Sequence, residues 1–148
     1  MKKPIKSFTD KNELTRLMAN AKRLKNDQVY HEAFRRRSEL EGADVEDPLH
    51  ARFLEVLGAY EGLLREKHGR KQPAGRTRQK MARAGIEQCL IDWALDPKES
   101  EAFQLLSERN LLELTGEHVV TQFPDRFEAR VVKAATSRLN RYRSERET

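Results

Sequence analysis

The residues of this chain best suited to chemistry are the lysines and arginines on either side of a Pro/Gly break near its middle. Residues 65–83 contain eight lysines and arginines against one glutamate, a local charge of +7, and residues 67–85 contain no acidic residue. Cationic side chains in this number are suited to binding the phosphate oxygens of a nucleic-acid backbone. About six to eight such contacts give useful affinity that falls steeply as salt is added.

A helix that begins near Arg76 would turn this charge into a basic face. Residues three and four positions apart lie on the same side of a helix, so Arg76, Lys80 and Arg83 would share an exposed face. The preceding loop, residues 69–75, would supply further phosphate ligands. We therefore expect binding to nucleic acid, DNA or RNA, by Arg70, Lys71, Arg76, Arg78, Lys80 and Arg83.

A weaker candidate set, on the first two predicted helices, consists of Lys22, Arg35 and Arg36. Arg35, Arg36 and Arg37 are consecutive. Consecutive residues spread around a helix, so no more than two of these arginines can share a surface with Lys22. Tyr30 nearby would allow stacking on a base, but its spacing from Phe34 favours packing between the two rings. The last helix would add a wall to a groove through Arg130, Lys133, Arg138 and Arg141.

The same charge has explanations from other classes of function. An acidic protein partner could dock on the basic face, which would make the chain a protein-interaction module or an inhibitor. The apolar stripe within residues 49–64 could support a homo-oligomer. A less favoured alternative is a metal-dependent nuclease, whose carboxylates and histidines would have to be brought together by folding. Its candidate ligands are His31, Glu39, Glu41, His50 and Glu61.

A standard helix-turn-helix does not fit the sequence. With Gly85 in the turn, the reading helix would be residues 86–95, which include Glu87 and Asp92. Those carboxylates would face phosphate, and Trp93 is better suited to a core. The positive charge lies upstream, on the segment that would be the first helix of the motif.

Signatures of enzymes are incomplete. His31 is followed by glutamate, as in the helix of a zinc protease, but Arg35 occupies the position of the second histidine. Cys89 lies among apolar residues at helical spacing, which predicts a buried structural thiol and not a nucleophile. Glu117 and His118 are an acid and a base without an evident nucleophile. We therefore predict no catalytic residue, no metal, no cofactor and a role other than catalysis.

The elements that must position these residues belong to a chain of 148 residues, long enough to bury a core. Hydrophobic residues make up 37% of it and charged residues 36%, a balance that favours a thin helical core. The single cysteine excludes an intrachain disulfide, so a cytoplasmic location is the default expectation. The apolar runs are short, so we expect no contact with a membrane.

The charge is segregated along the chain. Residues 1–25 carry a net +6, whereas residues 39–64 and residues 84–124 each carry −6. Such blocks either pair with one another inside the fold or leave basic surface for an outside polyanion. The nucleic-acid interpretation requires the second outcome for the cations around the central break.

Capping signals and apolar periodicity predict an all-α fold of six to seven short helices in a compact orthogonal or antiparallel bundle. Helix starts are indicated by Asp10, by Asn26 or Asp27, by Asp47-Pro48 and by Asp96-Pro97. The segments 11–25, 48–68 and 127–143 are the clearest, and 76–95 is either one helix or two joined at Gly85. Residues 111–123 suit a short helix after Thr115 or a strand.

These elements predict a single helical domain, residues 1–148. Its N-terminal helical half would be 10–68 and its C-terminal half 76–143, joined by the basic loop 69–75. The tail, residues 144–148, is expected to fray.

Overall fold

The computed structural model describes the backbone of residues 4–147 and the side chains of residues 4–143. Within these residues the chain is all-α, with eight α-helices, three 3-10 turns and no strand, which confirms the expected fold class and slightly exceeds the expected helix number. The helices are α1 Lys11–Arg23, α2 Asp27–Glu41, α3 Pro48–His68, α4 Gly75–Ala84, α5 Ile86–Leu95, α6 Glu101–Glu108, α7 Gly116–Gln122 and α8 Ala129–Glu147. The 3-10 turns are Ile5–Ser7, Leu112–Leu114 and Pro124–Arg126.

Side-chain caps fix several of the predicted helix starts. The Asp10 carboxylate accepts a hydrogen bond from the amide two residues on at 2.8 Å, and Asn26 accepts one from the amide three residues on at 3.2 Å. Asp47 caps α3 in the same way, with its Oδ1 atom 2.9 Å from the amide of Leu49. Each cap satisfies an amide that has no partner inside its helix, which is worth about 1 kcal/mol.

The helix expected to start at Asp96-Pro97 begins later, at Glu101. The residue that caps α6 is Ser100, whose hydroxyl accepts from the amide of Phe103 at 3.0 Å. Asp96 instead closes a local turn by accepting from the amide of Lys98 at 2.9 Å. Its backbone is extended, as is usual for a residue that precedes proline. The chain therefore needs this turn before the next helix can begin.

The basic segment and the apolar segment after it form two helices, not one. The break between α4 and α5 is Gly85, whose φ of +95° lies in the left-handed region that favours glycine. The alternative of two helices joined at Gly85 is therefore confirmed.

Residues 111–123 are helical, and the strand alternative is wrong. The Thr115 hydroxyl accepts from the amide of His118 at 3.2 Å and so starts α7. This local cap outweighs the β-propensity of Val119 and Val120, which are both buried on the helix. α8 continues to Glu147, beyond the predicted end at 143, and residue 148 of the predicted frayed tail lies outside the described residues.

The chain divides into two compact units, Met1–Gly62 and Leu63–Thr148. In the first, α1 and α2 pack together, and their buried residues include Leu14 and Phe34. In the second, α5, α7 and α8 pack together, with Leu90, Val119 and Leu139 buried. The expectation of a single domain with a boundary at the basic loop stays a prediction.

None of the helices in residues 4–147 combines the length and the apolar character needed to cross a bilayer.

Candidate nucleic-acid interface

The basic segment, residues 67–83, belongs to the second unit and consists of the end of α3, a loop and α4. Gly69, with a φ of +71°, ends α3, and its amide donates to the carbonyl of Arg65 at 2.8 Å. The loop then runs over the surface to Ala74, which is buried and immediately precedes α4. The loop that carries the exposed cations Arg70 and Lys71 is therefore bounded by the end of α3 and by the buried Ala74.

α4 lies on the surface of the second unit. None of its residues is buried, although Thr77, Lys80 and Met81 are half-buried on the side that packs against α5. The other seven residues of α4 are exposed. A ten-residue helix with so little buried surface is held by few apolar contacts, which leaves most of its perimeter open to a partner.

Four of the six cations predicted in this segment are exposed and unpaired. Across the part of the chain that the structure describes, these four side chains form no ion pair and no hydrogen bond. They are Arg70, Lys71, Arg76 and Arg83. Arg78 is also exposed, but it takes part in an interaction within the protein.

Lys80 departs from the expectation that the whole basic face is free. Its Nζ atom forms an ion pair with the Oδ2 atom of Asp92 on α5. The hydrogen bond from Lys80 is the main reason that the pKa of Asp92 lies below its ordinary value. Sequence spacing placed Lys80 with Arg76 and Arg83, but Lys80 lies at the edge of that face that turns toward α5.

The weaker candidate set lies in the first unit and is engaged within the protein. Lys22 and Arg35 are exposed, and each takes part in an internal interaction. Arg36 is half-buried: its Nε atom donates to the carbonyl of Phe8 at 2.9 Å, and its Nη1 atom pairs with Glu39 at 3.1 Å. Arg36 thus ties the segment before α1 to α2, a role that its sequence neighbours do not reveal.

Tyr30 packs on Phe34, with ring centroids 6.3 Å apart, as the structural interpretation of this pair predicted. Tyr30 is also buried. It therefore belongs to the core of the first unit and offers no surface for a base.

Arg138 is only 6% exposed, although it lines a cavity together with Arg141. Its Nη1 atom donates to Glu117 Oε2 at 2.9 Å and to the carbonyl of Trp93 at 2.8 Å, and its Nη2 atom donates to the carbonyl of Asp96. One guanidinium on α8 therefore joins the end of α5 to the start of α7. Sequence reasoning missed this pair because its members are far apart in the chain.

Arg141 of α8 forms an ion pair with Glu99, with its Nη2 atom 3.5 Å from the Oε1 atom. Arg130 pairs with Glu128 at 3.1 Å on the exposed start of α8. Part of the positive charge of α8 is therefore paired with carboxylates of the same unit.

Glu117 is a buried carboxylate of the second unit, and its burial changes its pKa. Desolvation raises the pKa of Glu117 above its ordinary value, and the hydrogen bond from Arg138 opposes that rise. The Oε1 atom of Glu117 is buried and accepts no hydrogen bond from the described residues. Glu117 is therefore part of the buried core of the second unit.

The residues proposed as nuclease ligands do not converge. Glu41 pairs with Lys11 at 2.9 Å, and Glu39 pairs with Arg36. No three of His31, Glu39, Glu41, His50 and Glu61 form a metal-ligand cluster in the described part of the chain. His50 instead lies 3.6 Å from the capping carboxylate of Asp47.

Cys89 is only 1% exposed, and burial raises the pKa of its thiol. Both observations fit the prediction of a structural thiol, because a nucleophilic cysteine needs an accessible thiolate.

Comparison with protein-family models, with curated proteins and with solved structures finds no significant match to this chain. A functional assignment therefore depends on its own side chains and on where the fold puts them.

Proposed function

We propose that this chain is a small cytoplasmic accessory protein that binds DNA or RNA through the phosphate contacts of its basic segment. The observation that carries the proposal is the exposure of Arg70, Lys71, Arg76 and Arg83 without ion pairs in the described part of the chain. Unpaired cations on a surface attract a polyanion because binding releases the counterions condensed on its phosphates.

The expected strength follows from the number of contacts. Four phosphate contacts give a slope of about −3.6 in a plot of the logarithm of the association constant against the logarithm of the salt concentration. Between 50 and 200 mM salt, such a slope lowers the association constant about a hundredfold. This dependence distinguishes phosphate binding from an apolar interface, whose affinity changes little with salt.

The test is a fluorescence-anisotropy titration of a labelled duplex at several salt concentrations. We expect the double variant Arg76→Ala/Arg83→Ala to bind more weakly and to reduce the salt slope by about 1.8, since each lost contact removes about 0.9. The control is Lys98→Ala/Arg143→Ala, which removes the same charge from exposed residues of the same unit. It should leave the slope unchanged.

Two results would count against the proposal. The first is the absence of binding at low salt, and the second is an equal loss in the two double variants, which would show that only net charge matters. After the first result, an acidic protein partner for the same cations would be the stronger explanation, with a complex that survives nuclease treatment as its signature.

A further inference from the structure

The second unit contains a cavity of about 430 Å³ between α8 and the end of α5. Its volume falls within the range of small-molecule sites, about 300–1,000 Å³. One wall is a single face of α8, whose residues follow the i, i+3, i+4, i+7 spacing of a helix and are Ala134, Ser137, Arg138 and Arg141. Ser137 and Arg141 are exposed, so a ligand can enter the cavity from solvent.

The polar side chains that α8 contributes to this cavity have hydrogen-bond donors to spare. Arg138 is only 6% exposed, and its Nε atom is buried and donates to no acceptor among the described residues. Arg141 uses only its Nη2 atom, in the pair with Glu99, and the Ser137 hydroxyl forms no hydrogen bond in the described part of the chain. A ligand that matches this wall must therefore carry acceptor atoms, and a carboxylate, which only accepts, matches two guanidinium groups best.

Most of the remaining wall is apolar. Ala134 is seven residues from Arg141, about 10 Å along the axis of α8, so this face is apolar at one end and cationic at the other. The opposite wall contributes three apolar residues, Ala94, Leu95 and Pro97. Asp96, also in that wall, is exposed, and its Oδ1 atom accepts from the amide of Lys98 at 2.9 Å. A ligand that fills the cavity therefore needs an apolar body as well as an anionic head.

We propose that this cavity binds a small organic acid, with its carboxylate at the donors of Ser137, Arg138 and Arg141 and its apolar body against Ala134 and the end of α5. An inorganic anion would leave the apolar wall unfilled, and a neutral ligand would gain no charge-assisted hydrogen bond from the arginines. The carboxylate competes with Glu99 for one N–H group of Arg141, in a pair that is partly exposed to solvent. This site is separate from the basic segment, so the inference does not rest on the proposed function.

The test is a titration of the isotope-labelled full chain with octanoate, followed by nitrogen–proton correlation spectra. Octanamide, which has the same apolar body without the charge, and acetate, which has the charge without the body, are the comparison ligands. We expect saturable shift changes within residues 94–97 and 134–141. We also expect the affinity for octanoate to exceed that for octanamide and for acetate by about tenfold or more, since each comparison ligand lacks one of the two contacts.

Two variants test the two ends of the cavity. Arg141→Ala removes an exposed cation of the wall and should lower the affinity for octanoate about tenfold, whereas Arg143→Ala, at an exposed position of α8 outside the cavity, should not. Ala134→Leu fills part of the cavity without changing charge and should lower the affinity for octanoate by a similar factor. Its matched control is Ala129→Leu, at an exposed alanine of the same helix.

Three results would overturn the inference. They are the absence of saturable changes up to about 10 mM octanoate, an equal affinity for octanoate and octanamide, and octanoate binding that Arg141→Ala and Ala134→Leu leave unchanged. The second would show that no carboxylate is recognised, and the third would place octanoate elsewhere on the protein. Because the titration contains no nucleic acid, its result does not depend on whether the chain binds a duplex.

Discussion

Lys80 and Asp92 show how a single intramolecular contact can limit a binding surface. The carboxylate of Asp92 on α5 takes the position beside Lys80 that a phosphate oxygen would otherwise occupy. Because this ion pair is half-exposed, a polyanion can compete for the same ammonium group. If the chain binds nucleic acid as proposed, Asp92 would weaken that binding in addition to holding α4 against α5.

We predict that Asp92→Asn strengthens binding to duplex DNA and steepens the salt slope by about 0.9, the contribution of one additional phosphate contact. The control is Asp125→Asn, which removes one negative charge from an exposed residue of the same unit. Anisotropy titrations of both variants measure the effect. An equal gain in the two variants would mean that Lys80 is not released.

Glu117 gives a prediction about pH. Its pKa is raised above the ordinary value of 4.5 by burial, so the folded protein keeps this proton to a higher pH than the unfolded chain does. The stabilisation from this group is complete below about pH 4.5 and is lost as the pH rises through the folded-state pKa. Glu117→Gln, which cannot lose a proton, should therefore gain in free energy of unfolding relative to the wild type as the pH rises above 4.5.

Urea unfolding at a series of pH values measures this difference. Glu101→Gln, at an exposed position on α6, is the control and should show no such change relative to the wild type. A difference between Glu117→Gln and the wild type that is the same at every pH would contradict the prediction.

At the scale of elements, two glycines in equivalent positions have different roles. Gly116 is the first residue of α7, and a Cβ atom there would lie 2.5 Å from the Trp93 ring and 3.1 Å from a Leu90 methyl group. Gly75 is the first residue of α4, and a Cβ atom there would meet nothing within 4 Å. Close packing therefore requires glycine at position 116 but not at position 75.

We predict that Gly116→Ala destabilises the protein by about 1–3 kcal/mol, because the ring of Trp93 has to shift. Gly75→Ala should instead stabilise it by about 0.4–1 kcal/mol, since it restricts the unfolded chain and meets no obstacle in the fold. Urea unfolding of the two variants provides the comparison. A loss of stability in Gly75→Ala as large as in Gly116→Ala would contradict this account of α7 packing.

The elements that were predictable from sequence are those with local causes. The caps at Asp10, Asn26 and Thr115 act within three residues, so the starts of α1, α2 and α7 could be identified without tertiary information. The start of α6 was missed because Asp96 and Ser100 are both good caps, and the turn that follows Leu95 decides between them.

Some features of the candidate site also have local causes, whereas others depend on tertiary packing. Arg70 and Lys71 lie in a loop where no acidic residue is near in sequence, which is a local property and was correctly read as exposed charge. The pairing of Lys80 with Asp92 depends on how α4 packs against α5. The pairing of Arg138 with Glu117 depends on three helices meeting, so neither could be predicted from spacing along the chain.

At the scale of the whole molecule, part of the charge in the basic and acidic blocks is paired inside the protein. Within the first unit, Lys11 of the basic N-terminal block pairs with Glu41 of the acidic block that follows. Within the second, the acidic block engages Lys80 through Asp92 and Arg126 through Glu87. Internal pairing thus accounts for part of the segregation, while Arg70, Lys71, Arg76 and Arg83 remain outside these pairs in the described part of the chain.

A net charge of +5 would draw any basic protein weakly toward nucleic acid, so affinity alone does not locate the interface. The proposed function specifies this location: a polyanion should contact the loop before α4 and the exposed side of α4. Amide chemical shifts report that location residue by residue in the intact chain.

The most direct measurement is therefore a titration of the isotope-labelled protein with a DNA duplex of about 20 base pairs, followed by nitrogen–proton correlation spectra. We expect the largest shift changes within residues 69–85, and we expect them to reverse when salt is added. Changes centred on the turn between α1 and α2, or on α8, with residues 69–85 unaffected, would contradict this expectation.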